Sequence, residues 1–382
     1  MKTQLFEKFK KEFQKTPDEF IRCGGRFEIL GNHTDHNHGL CIAATCDMST
    51  FSAVSRRDDN IVNVISEGYP KLSLNLDSLE IKEEEKGSSA ALIRGVANYL
   101  VKEHHHIGGF DAYIISTIFP GAGVSSSASY ELLIGDIFNI LFNDNQISRL
   151  DLAKAGQYAE NVYYGKSCGL LDQIGVSFGG FVYIDFKDIN QPKVSNLQMN
   201  LKDHEFILVN TGGDHAAMSP LYSKIPSDMW EIAKVLGVNY LRESNKEELL
   251  KHKEELDGDK FLRACHFFDE NARVEKAILA IQNDDIETLK ECINGSRNSS
   301  TYLLKNMMAN SYVGSPLEAT DLLDKLTNGE GAAKINGGGF AGSIVCLIPT
   351  KYEEQFIQGM SIRYGKNNVY KVNIDTVGVG RF

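Results

Sequence analysis

Residues 110–142 read FDAYIISTIFPGAGVSSSASYELLIGDIFNILF, and this order of residue types predicts a strand, a glycine-rich turn and a helix. The first ten residues are mainly apolar, with β-branched and aromatic side chains, as in a buried strand. The last thirteen carry a stripe of apolar residues, and serines stand where the helix would begin. Proline and glycine between the two elements mark a turn. This segment therefore indicates a domain that contains both sheet and helix.

The turn PGAGVSSSAS at 120–129 has the composition of a phosphate-binding loop. Gly121 and Gly123 permit positive φ angles and a close approach of the backbone to a ligand. The serines supply hydroxyls, and the start of the helix supplies backbone N–H groups that lack intrahelical partners. No Gly-Lys-Ser or Gly-Lys-Thr follows, which disfavours a P-loop NTPase, and a serine-capped helix after a tight turn is the alternative interpretation. We predict that this loop binds an anion such as phosphate at Gly121, Gly123, Ser125, Ser126, Ser127 and Ala128.

A second motif, GRFEILGNHTDHNHG at 25–39, places Arg26, His33, Asp35 and His36 within a short span. The stretch from 22 to 39 is rich in Gly, His, Asn and Asp, so we predict a loop. Such side chains can match the donors and acceptors of sugar hydroxyls. A solvated loop held by an Asx-turn is the alternative.

Two further segments contain motifs in which glycine is prominent. INGGGFAGSIVCLIP at 335–349 has three consecutive glycines before a strand, a pattern that suits close backbone approach, although a tight hairpin would also explain it. We interpret GKSCGLLDQIGVSFGG at 165–180 as a loop that leads into the strand FVYIDF.

The whole chain limits the possible functions. Its 382 residues suit two domains, and the polar, irregular stretch at 188–200 places the boundary near 190, giving domains 1–190 and 191–382. A formal charge of −11 argues against nucleic-acid binding, and it means that local backbone donors and a metal ion must hold any nucleotide phosphates. Seven cysteines without a C-x-x-C pair predict reduced thiols and a cytoplasmic protein. The sequence contains no run of eighteen apolar residues, so no membrane-spanning helix is predicted.

The motifs, in this order and at these separations, resemble those of the galactokinases within the GHMP kinase family. The galactokinase signature is close to GRVNLIGEHTDYNGG, and here the sequence is GRFEILGNHTDHNHG. PGAGVSSSAS is similar to the nucleotide motif of that family, CGLLDQ at 168–173 to its CGIMDQ segment, and NGGGFAGS to its third motif. The similarity extends over nearly the whole chain.

This resemblance implies an α+β fold with two lobes, the first like domain 2 of ribosomal protein S5 and the second ferredoxin-like. It implies an enzyme that transfers the γ-phosphoryl of ATP, with Mg²⁺, to the anomeric hydroxyl of galactose. We expect a monomer, with no nucleic-acid or membrane partner.

The resemblance also implies roles for individual residues. Asp172 takes the place of the catalytic aspartate, and Arg26 faces it. Glu160, twelve residues before Asp172, matches the glutamate that binds Mg²⁺, with a serine of the 125–127 run, Ser126, as the other ligand. Two roles for Asp172 stay open, because a neighbouring Arg lowers the pKa of a carboxyl: it accepts the hydroxyl proton, or it only orients the hydroxyl. Sugar contacts fall to Asn32, His33, Asp35, Gly169 through its backbone, and Tyr222.

Departures from the galactokinase signature concern the substrate. Asn32 stands where galactokinases carry Glu, and His36 where they carry Tyr. A neutral amide removes repulsion against an anionic C6 group, so galacturonate is the alternative substrate, although Asn can still bind a 6-hydroxyl and we keep galactose first. Glu28 in place of Asn, together with Gly24, Ala341 and Ser343, is expected to alter loop stiffness more than the type of reaction. A non-catalytic sugar sensor is a further alternative, disfavoured because the phosphate loop, Glu160 and Asp172 are all present.

Overall fold

The computed structural model describes residues 1–119, 121–212 and 215–382, with side chains for all of these except 215–219. Two sheets with helices packed on them form two lobes, which confirms the predicted two-lobed α+β fold. Pro120, the first residue of the predicted phosphate loop, lies outside the described residues. In the part of the chain that is described, no helix is both long and apolar enough to cross a bilayer.

The larger sheet belongs to the first lobe and has eight strands. Its members are β1 Glu19–Leu30, β2 Leu40–Arg56, β3 Ile61–Ser66, β4 Leu72–Asn75, β5 Phe110–Ser116, β6 Phe181–Asp185, β7 Lys193–Leu197 and the C-terminal strand β12 Gly380–Arg381. The main path runs β12-β1-β2-β5-β3-β4, and β6 and β7 extend from the other half of β2. All pairs are antiparallel except β3 with β5.

The smaller sheet contains four antiparallel strands in the order β11-β8-β10-β9. These strands are β8 His204–Asn210, β9 Ala332–Asn336, β10 Ser343–Pro349 and β11 Val369–Val372. Helices separate β8 from β9 and β10 from β11, so the lobe has the βαββαβ connection of a ferredoxin-like fold.

Eleven α-helices lie in the described residues. They are α1 Lys2–Phe13, α2 Ser89–Lys102, α3 Ser126–Phe142, α4 Arg149–Tyr158, α5 Leu171–Ser177, α6 His215–Val235, α7 Lys246–Lys251, α8 Gly258–Gln282, α9 Ile286–Ser299, α10 Pro316–Leu326 and α11 Glu353–Tyr364. A π-helical turn, Ala159–Tyr164, continues α4, and a second, Ser300–Leu304, continues α9. Ser88 caps α2 by accepting a hydrogen bond from the Ala91 amide.

One apolar core joins the two sheets. Strand β8 alternates its side chains, so that Phe206 and Leu208 face β1 and helices α8 and α9, while Ile207 and Val209 face α10 and α11. Phe27 of β1 packs on Phe206, with 5.1 Å between the ring centroids. The strand is buried on both faces, which explains its continuous apolar sequence.

Parts of two predicted loops are regular elements, so the loop predictions were wrong for these parts. The segment from 22 to 30 belongs to β1, and the segment from 171 to 177 forms α5. Glycine at 24 allows β1 to lie against its neighbour, because a Cβ there would come within 2.5 Å of the Cys46 carbonyl oxygen. Polar residues at 26 and 28 made the strand resemble a loop, but these residues face a cavity rather than the core.

The division at residue 190 stays a prediction. Strand β7 lies after it in the chain and pairs with β6 of the first lobe, and β12 returns from the second lobe to pair with β1. Any boundary between the lobes is therefore crossed more than once.

Candidate active site

A cavity of about 430 Å³ lies where the end of β1, the loop before α3, the segment before α5, helix α6 and the turn between β9 and β10 meet. Seven of the predicted catalytic and sugar-binding residues line this cavity: Arg26, Asn32, His33, Asp35, Gly169, Asp172 and Tyr222. Of the predicted phosphate loop, Gly123 and Ser125 also line it. The structure thus brings segments of both lobes to one site.

Arg26 and Asp172 form an ion pair at the centre of the cavity. The Arg26 Nε and Nη2 atoms lie 3.0 and 2.9 Å from Asp172 Oδ1, and Nη1 donates to the Gly123 carbonyl at 2.9 Å. Ser125 Oγ donates to the other carboxylate oxygen at 2.5 Å. Burial would raise the pKa of Asp172, but the Arg26 charge and these hydrogen bonds outweigh it, so the pKa lies below its ordinary value. Asp172 is therefore an ionised acceptor.

The first turn of α3 is open to an anion. Ser125 precedes the helix in a left-handed conformation, φ 56°, and its hydroxyl is used on Asp172 instead of capping the helix. Gly121 and Gly123 also have positive φ angles, 81° and 74°. The free amides at such a helix start attract phosphate.

The remaining residues of the phosphate loop take different positions. Gly121 and Ser126 are exposed to solvent, whereas the Ala128 side chain is buried in the core of the first lobe. Only the backbone amide of Ala128 is therefore available to a ligand. Ser127 points to Glu160.

Glu160 lies in a buried group of polar side chains beside the α3 start. Its Oε1 accepts from Ser127 Oγ at 3.3 Å and from Lys166 Nζ at 2.7 Å, and its Oε2 accepts from Gln173 Nε2 at 3.1 Å. The same Gln173 amide donates to Glu131 Oε2 at 3.0 Å. Burial, and next the Glu160 charge, raise the pKa of Glu131 to about 8.

Three members of this group were not anticipated from the sequence. Gln173 could have been predicted as a site residue because it follows Asp172 directly. Nothing in the sequence distinguished Glu131 or Lys166 from other charged residues. Ser127, rather than the predicted Ser126, is the serine in contact with Glu160. Among the described residues, no three His, Cys, Asp or Glu side chains form a metal site of their own.

Residues 31–39 are the part of the predicted sugar-binding loop that lies outside β1, and we call them the sugar turn. Buried hydrogen bonds fix its conformation. His33 Nε2 lies 2.9 Å from the Gly338 carbonyl, so this nitrogen donates, and burial lowers the His33 pKa to about 4. Burial, and next the Glu28 charge, raise the pKa of Asp35 to about 6. A Cβ on Gly169 would lie 2.7 Å from Asp35 Oδ2, so only glycine allows this approach.

Tyr222 closes the cavity from α6. Its ring centroid lies 5.1 Å from that of His33. A Cβ on Gly338 would overlap the Tyr222 ring, so the glycine-rich turn between β9 and β10 leaves room for this side chain. The third motif therefore shapes the site without contributing a side chain at this point.

Glu28 lines the cavity, a position that was not predicted from the sequence, where mainly an effect on loop stiffness was expected. Its Oε1 accepts from Lys334 Nζ at 2.6 Å and from Asn32 Nδ2 at 3.2 Å. Asn32 donates its second amide hydrogen to the Gly337 carbonyl at 2.7 Å and accepts from Asn306 at 2.9 Å. Both donors of Asn32 are thus engaged. The galactokinase signature has Asn at position 28 and Glu at position 32, and this chain has them the other way round. That exchange was the feature of the sequence from which the role of Glu28 could have been predicted.

Glu270 of α8 anchors the sugar turn from behind. Its carboxylate accepts from the Gly31 amide at 3.0 Å, the Asn32 amide at 3.3 Å and Ser296 Oγ at 2.6 Å, and it pairs with Arg273 at 2.8 Å. Burial opposes ionisation, but the His266 and Arg273 charges and the Ser296 bond lower the Glu270 pKa to about 2.

We expect Glu270→Gln to remove a pH-dependent part of the stability. A lowered folded-state pKa stabilises the protein above the unfolded value of 4.5 and ceases to do so as the pH falls towards 2. The shift corresponds to a contribution of the order of 3 kcal/mol at neutral pH. Urea unfolding of both proteins between pH 7 and 3 measures it, with the exposed Glu287→Gln as control. Equal pH dependence in the wild type and Glu270→Gln would contradict the assignment.

Comparison with known proteins agrees with this geometry. The family model of the GHMP kinases N terminal domain matches residues 91–180, and the galactokinase galactose-binding signature matches residues 7–56. The chain is 28% identical to a galactokinase of Clostridium acetobutylicum, over 98% of this chain and 96% of the relative. It is 29% identical to a galactokinase of Streptococcus thermophilus, over 95% and 93%.

Solved structures show the same relation. Lactococcus lactis galactokinase complexed with galactose superposes with a TM-score of 0.85 and 25% identity, covering 100% of this chain and 99% of that one. Mevalonate kinase of Methanococcus jannaschii shares the fold, with a TM-score of 0.65 and 15% identity over 93% of this chain and 98% of that one. Residues 91–180 of the chain therefore resemble the N-terminal domain of the GHMP kinases, residues 7–56 match the galactose-binding signature of the galactokinases, and the whole chain is similar to galactokinases.

Proposed function

We propose that this protein is a galactokinase, which transfers the γ-phosphoryl of ATP to the anomeric hydroxyl of galactose and releases galactose 1-phosphate and ADP. The observation that carries the proposal is the Arg26–Asp172 pair, which lies in one cavity between the open start of α3 and the sugar turn. Full-length galactokinase relatives support the same activity.

Asp172 would accept a hydrogen bond from the attacking hydroxyl and orient it. A bond then forms between the sugar oxygen and the γ-phosphorus, and the bond from that phosphorus to the ADP oxygen breaks. A carboxylate of lowered pKa is a weak base, so the hydroxyl proton would pass to Asp172 only late, once the forming bond to phosphorus has made that proton more acidic. Most of the acceleration comes from positioning and charge stabilisation, as is general for phosphoryl transfer.

The phosphates would bind the amides of the first α3 turn, and Mg²⁺ would be held by Glu160 and the Ser127 hydroxyl. The residues fit a small hard cation: Glu160 is buried, an ammonium already lies on its carboxylate, and the buried Glu131 Oε1 has no hydrogen-bond partner. When bound, this ion supplies positive charge to the phosphate oxygens. The role of Ser126 as a ligand is replaced in this proposal by Ser127.

The sugar would contact His33, Asp35, Tyr222 and the Gly169 backbone. Glu28, rather than Asn32, is proposed as the partner of the 6-hydroxyl, because both amide hydrogens of Asn32 are engaged. Asn32 would then position Glu28 through their mutual hydrogen bond.

Galacturonate is disfavoured by the charges around Glu28. An anionic C6 group would approach Glu28 and Asp35, while Lys334 is fully buried behind Glu28 and neutralises it already. The cation that a sugar acid requires is therefore missing from the described part of this wall. The carboxylate that position 32 lacks is supplied by position 28.

A substrate panel tests this specificity. With ATP and Mg²⁺, we expect kcat/KM for galactose to exceed that for galacturonate by at least about 100-fold, because an unpaired charge is costly to bury. N-acetylgalactosamine, arabinose and glucose complete the panel. In Glu28→Gln the ratio of kcat/KM for galactose to that for galacturonate should fall, since the Lys334 ammonium loses its carboxylate partner and can pair with the C6 carboxylate instead.

The control for this experiment is Glu28→Gln combined with Lys334→Met, which removes both charges and should recover stability lost in the single variant. Equal use of the two sugars by the wild type would contradict the role of Glu28. Binding of galactose without any consumption of ATP would instead favour the sensor and end the proposed activity.

We further propose that the protein is a cytoplasmic monomer. Its seven cysteines are all free thiols, as is typical of a reducing compartment where ATP is available. Light scattering on the purified protein would test the monomeric state.

A further inference from the structure

Lys166 is a cation of the cavity wall that the proposed mechanism has not used. Among the described residues, the lysine and arginine side chains that line the cavity are Arg26 and Lys166. Arg26 uses Nε, Nη1 and Nη2 on Asp172 and Gly123. Lys166 has one ion pair, with Glu160, and its side chain is 61% exposed. It is therefore the cavity cation that can change partner.

The backbone holds this lysine beside Glu160. The amides of Gly165 and Lys166 both donate to the Glu160 carbonyl, at 3.1 and 3.0 Å. Gly165, with φ 87°, ends the π-helical turn and directs the chain towards Asp172. The start of the side chain is fixed, and its four-carbon stem gives the ammonium freedom to move within the cavity.

The charges of the site determine where the ammonium can go. A divalent cation on Glu160 would repel an ammonium that lies 2.7 Å from the same carboxylate oxygen. The nearby carboxylate of Asp172 is already paired with Arg26 and accepts from Ser125, and its remaining acceptor site is the one proposed for the sugar hydroxyl. The phosphates of a nucleotide bound at the start of α3, on the same cavity wall, are then the remaining anionic partner for the Lys166 ammonium.

We propose that Lys166 is a further catalytic residue, which exchanges between Glu160 in the free protein and the transferred phosphoryl group in the nucleotide complex. This inference rests on the proposed kinase function. In the free protein Lys166 keeps the buried Glu160 paired. In the complex its ammonium stabilises charge on the phosphoryl oxygens while the phosphorus changes partners.

The exchange predicts opposite effects of Lys166→Met on two measurements. Without nucleotide, the variant should bind Mn²⁺ more tightly, roughly 2- to 5-fold, since a competing and partly exposed ion pair is removed. With ATP, Mg²⁺ and galactose, kcat should fall by about 100-fold. Electron paramagnetic resonance of free Mn²⁺ and a coupled assay for ADP measure the two quantities.

Lys166→Arg should recover a large part of kcat, because it restores the charge. Lys102→Met, which removes a lysine that binds Tyr158 on another part of the first lobe, is the matched control and should change neither quantity. Unchanged Mn²⁺ affinity or unchanged kcat in Lys166→Met, with a normal melting temperature, would overturn the proposal.

Failure of the kinase function would be recognised separately. If the wild type phosphorylates no sugar of the panel, the dissociation constant of Mn²⁺–ATP decides about Lys166. Weaker Mn²⁺–ATP binding in Lys166→Met, together with tighter binding of Mn²⁺ alone, would still support the exchange. Any other result would remove it.

Discussion

Asp172→Asn is expected to lower kcat by about 10³-fold or more while the protein still folds and binds galactose. The amide keeps the size of the side chain, but it loses the negative charge that holds Arg26 and orients the hydroxyl. Arg26 can only donate, so the amide oxygen must face Arg26 and the amide nitrogen must face Ser125, which leaves no carboxylate oxygen to accept from the sugar hydroxyl. The loss should therefore appear in turnover.

The measurement is the initial rate with ATP, Mg²⁺ and galactose, together with the galactose dissociation constant by calorimetry. Asp203→Asn, at a carboxyl that is 78% exposed in the second lobe, is the control and should be fully active. Activity near the wild-type level in Asp172→Asn would remove the proposed mechanism.

Arg26→Ala is expected to lower kcat by about 100-fold or more and to change the galactose KM by only a few fold. The guanidinium bridges Asp172 and the Gly123 carbonyl of the phosphate loop, so it supports the group that orients the hydroxyl and the loop that holds the phosphates. Its charge is most useful when charge redistributes in the transition state. Arg26→Lys keeps the charge but cannot form the same three bonds, so only partial activity should return.

The same variant has a signature in its pH profile. Without Arg26, the largest influence that opposes the burial of Asp172 is lost and the Ser125 hydrogen bond and the Lys166 charge remain, so the pKa of this carboxyl rises. Asp172 then takes up its proton at a higher pH, and the acidic limb of kcat/KM should move upwards. Arg22→Ala, which removes an arginine of the same strand that pairs with Asp375, is the control and should keep the wild-type limb. An unshifted limb in Arg26→Ala would contradict the coupling.

Local patterns were sufficient for much of the fold. The strand, turn and helix around the phosphate loop follow from apolar periodicity and from serines at a helix start, and β8 and β10 from continuous apolar runs. Strand β1 escaped this procedure, because Arg26 and Glu28 face a cavity that other segments create. The periodicity of apolar residues identifies the face of an element that packs on a core. It cannot identify a strand whose polar side chains line a cavity between two lobes.

The site shows a similar limit. Asp172, Arg26 and His33 were placed by resemblance, and the structure brings them together. The distinction between Ser126 and Ser127 depends on which hydroxyl faces Glu160, which is set by the rotation of α3. The role of Glu28 depends on Lys334, 306 residues later in the chain. Such pairings are tertiary and cannot be predicted from a single local motif.

The shared core of Phe27 and Phe206 has a consequence for how the substrate enters. Because the two sheets interlock through one apolar interior, we expect heat to melt both halves in a single transition, and a fragment ending at residue 190 to be insoluble when expressed alone. A rotation that separates the two lobes would expose this shared core to water. We therefore expect the sugar to enter and leave through movements at the edge of the cavity, in helix α6 with Tyr222 and in the turn that carries Lys166, which leave the core packed.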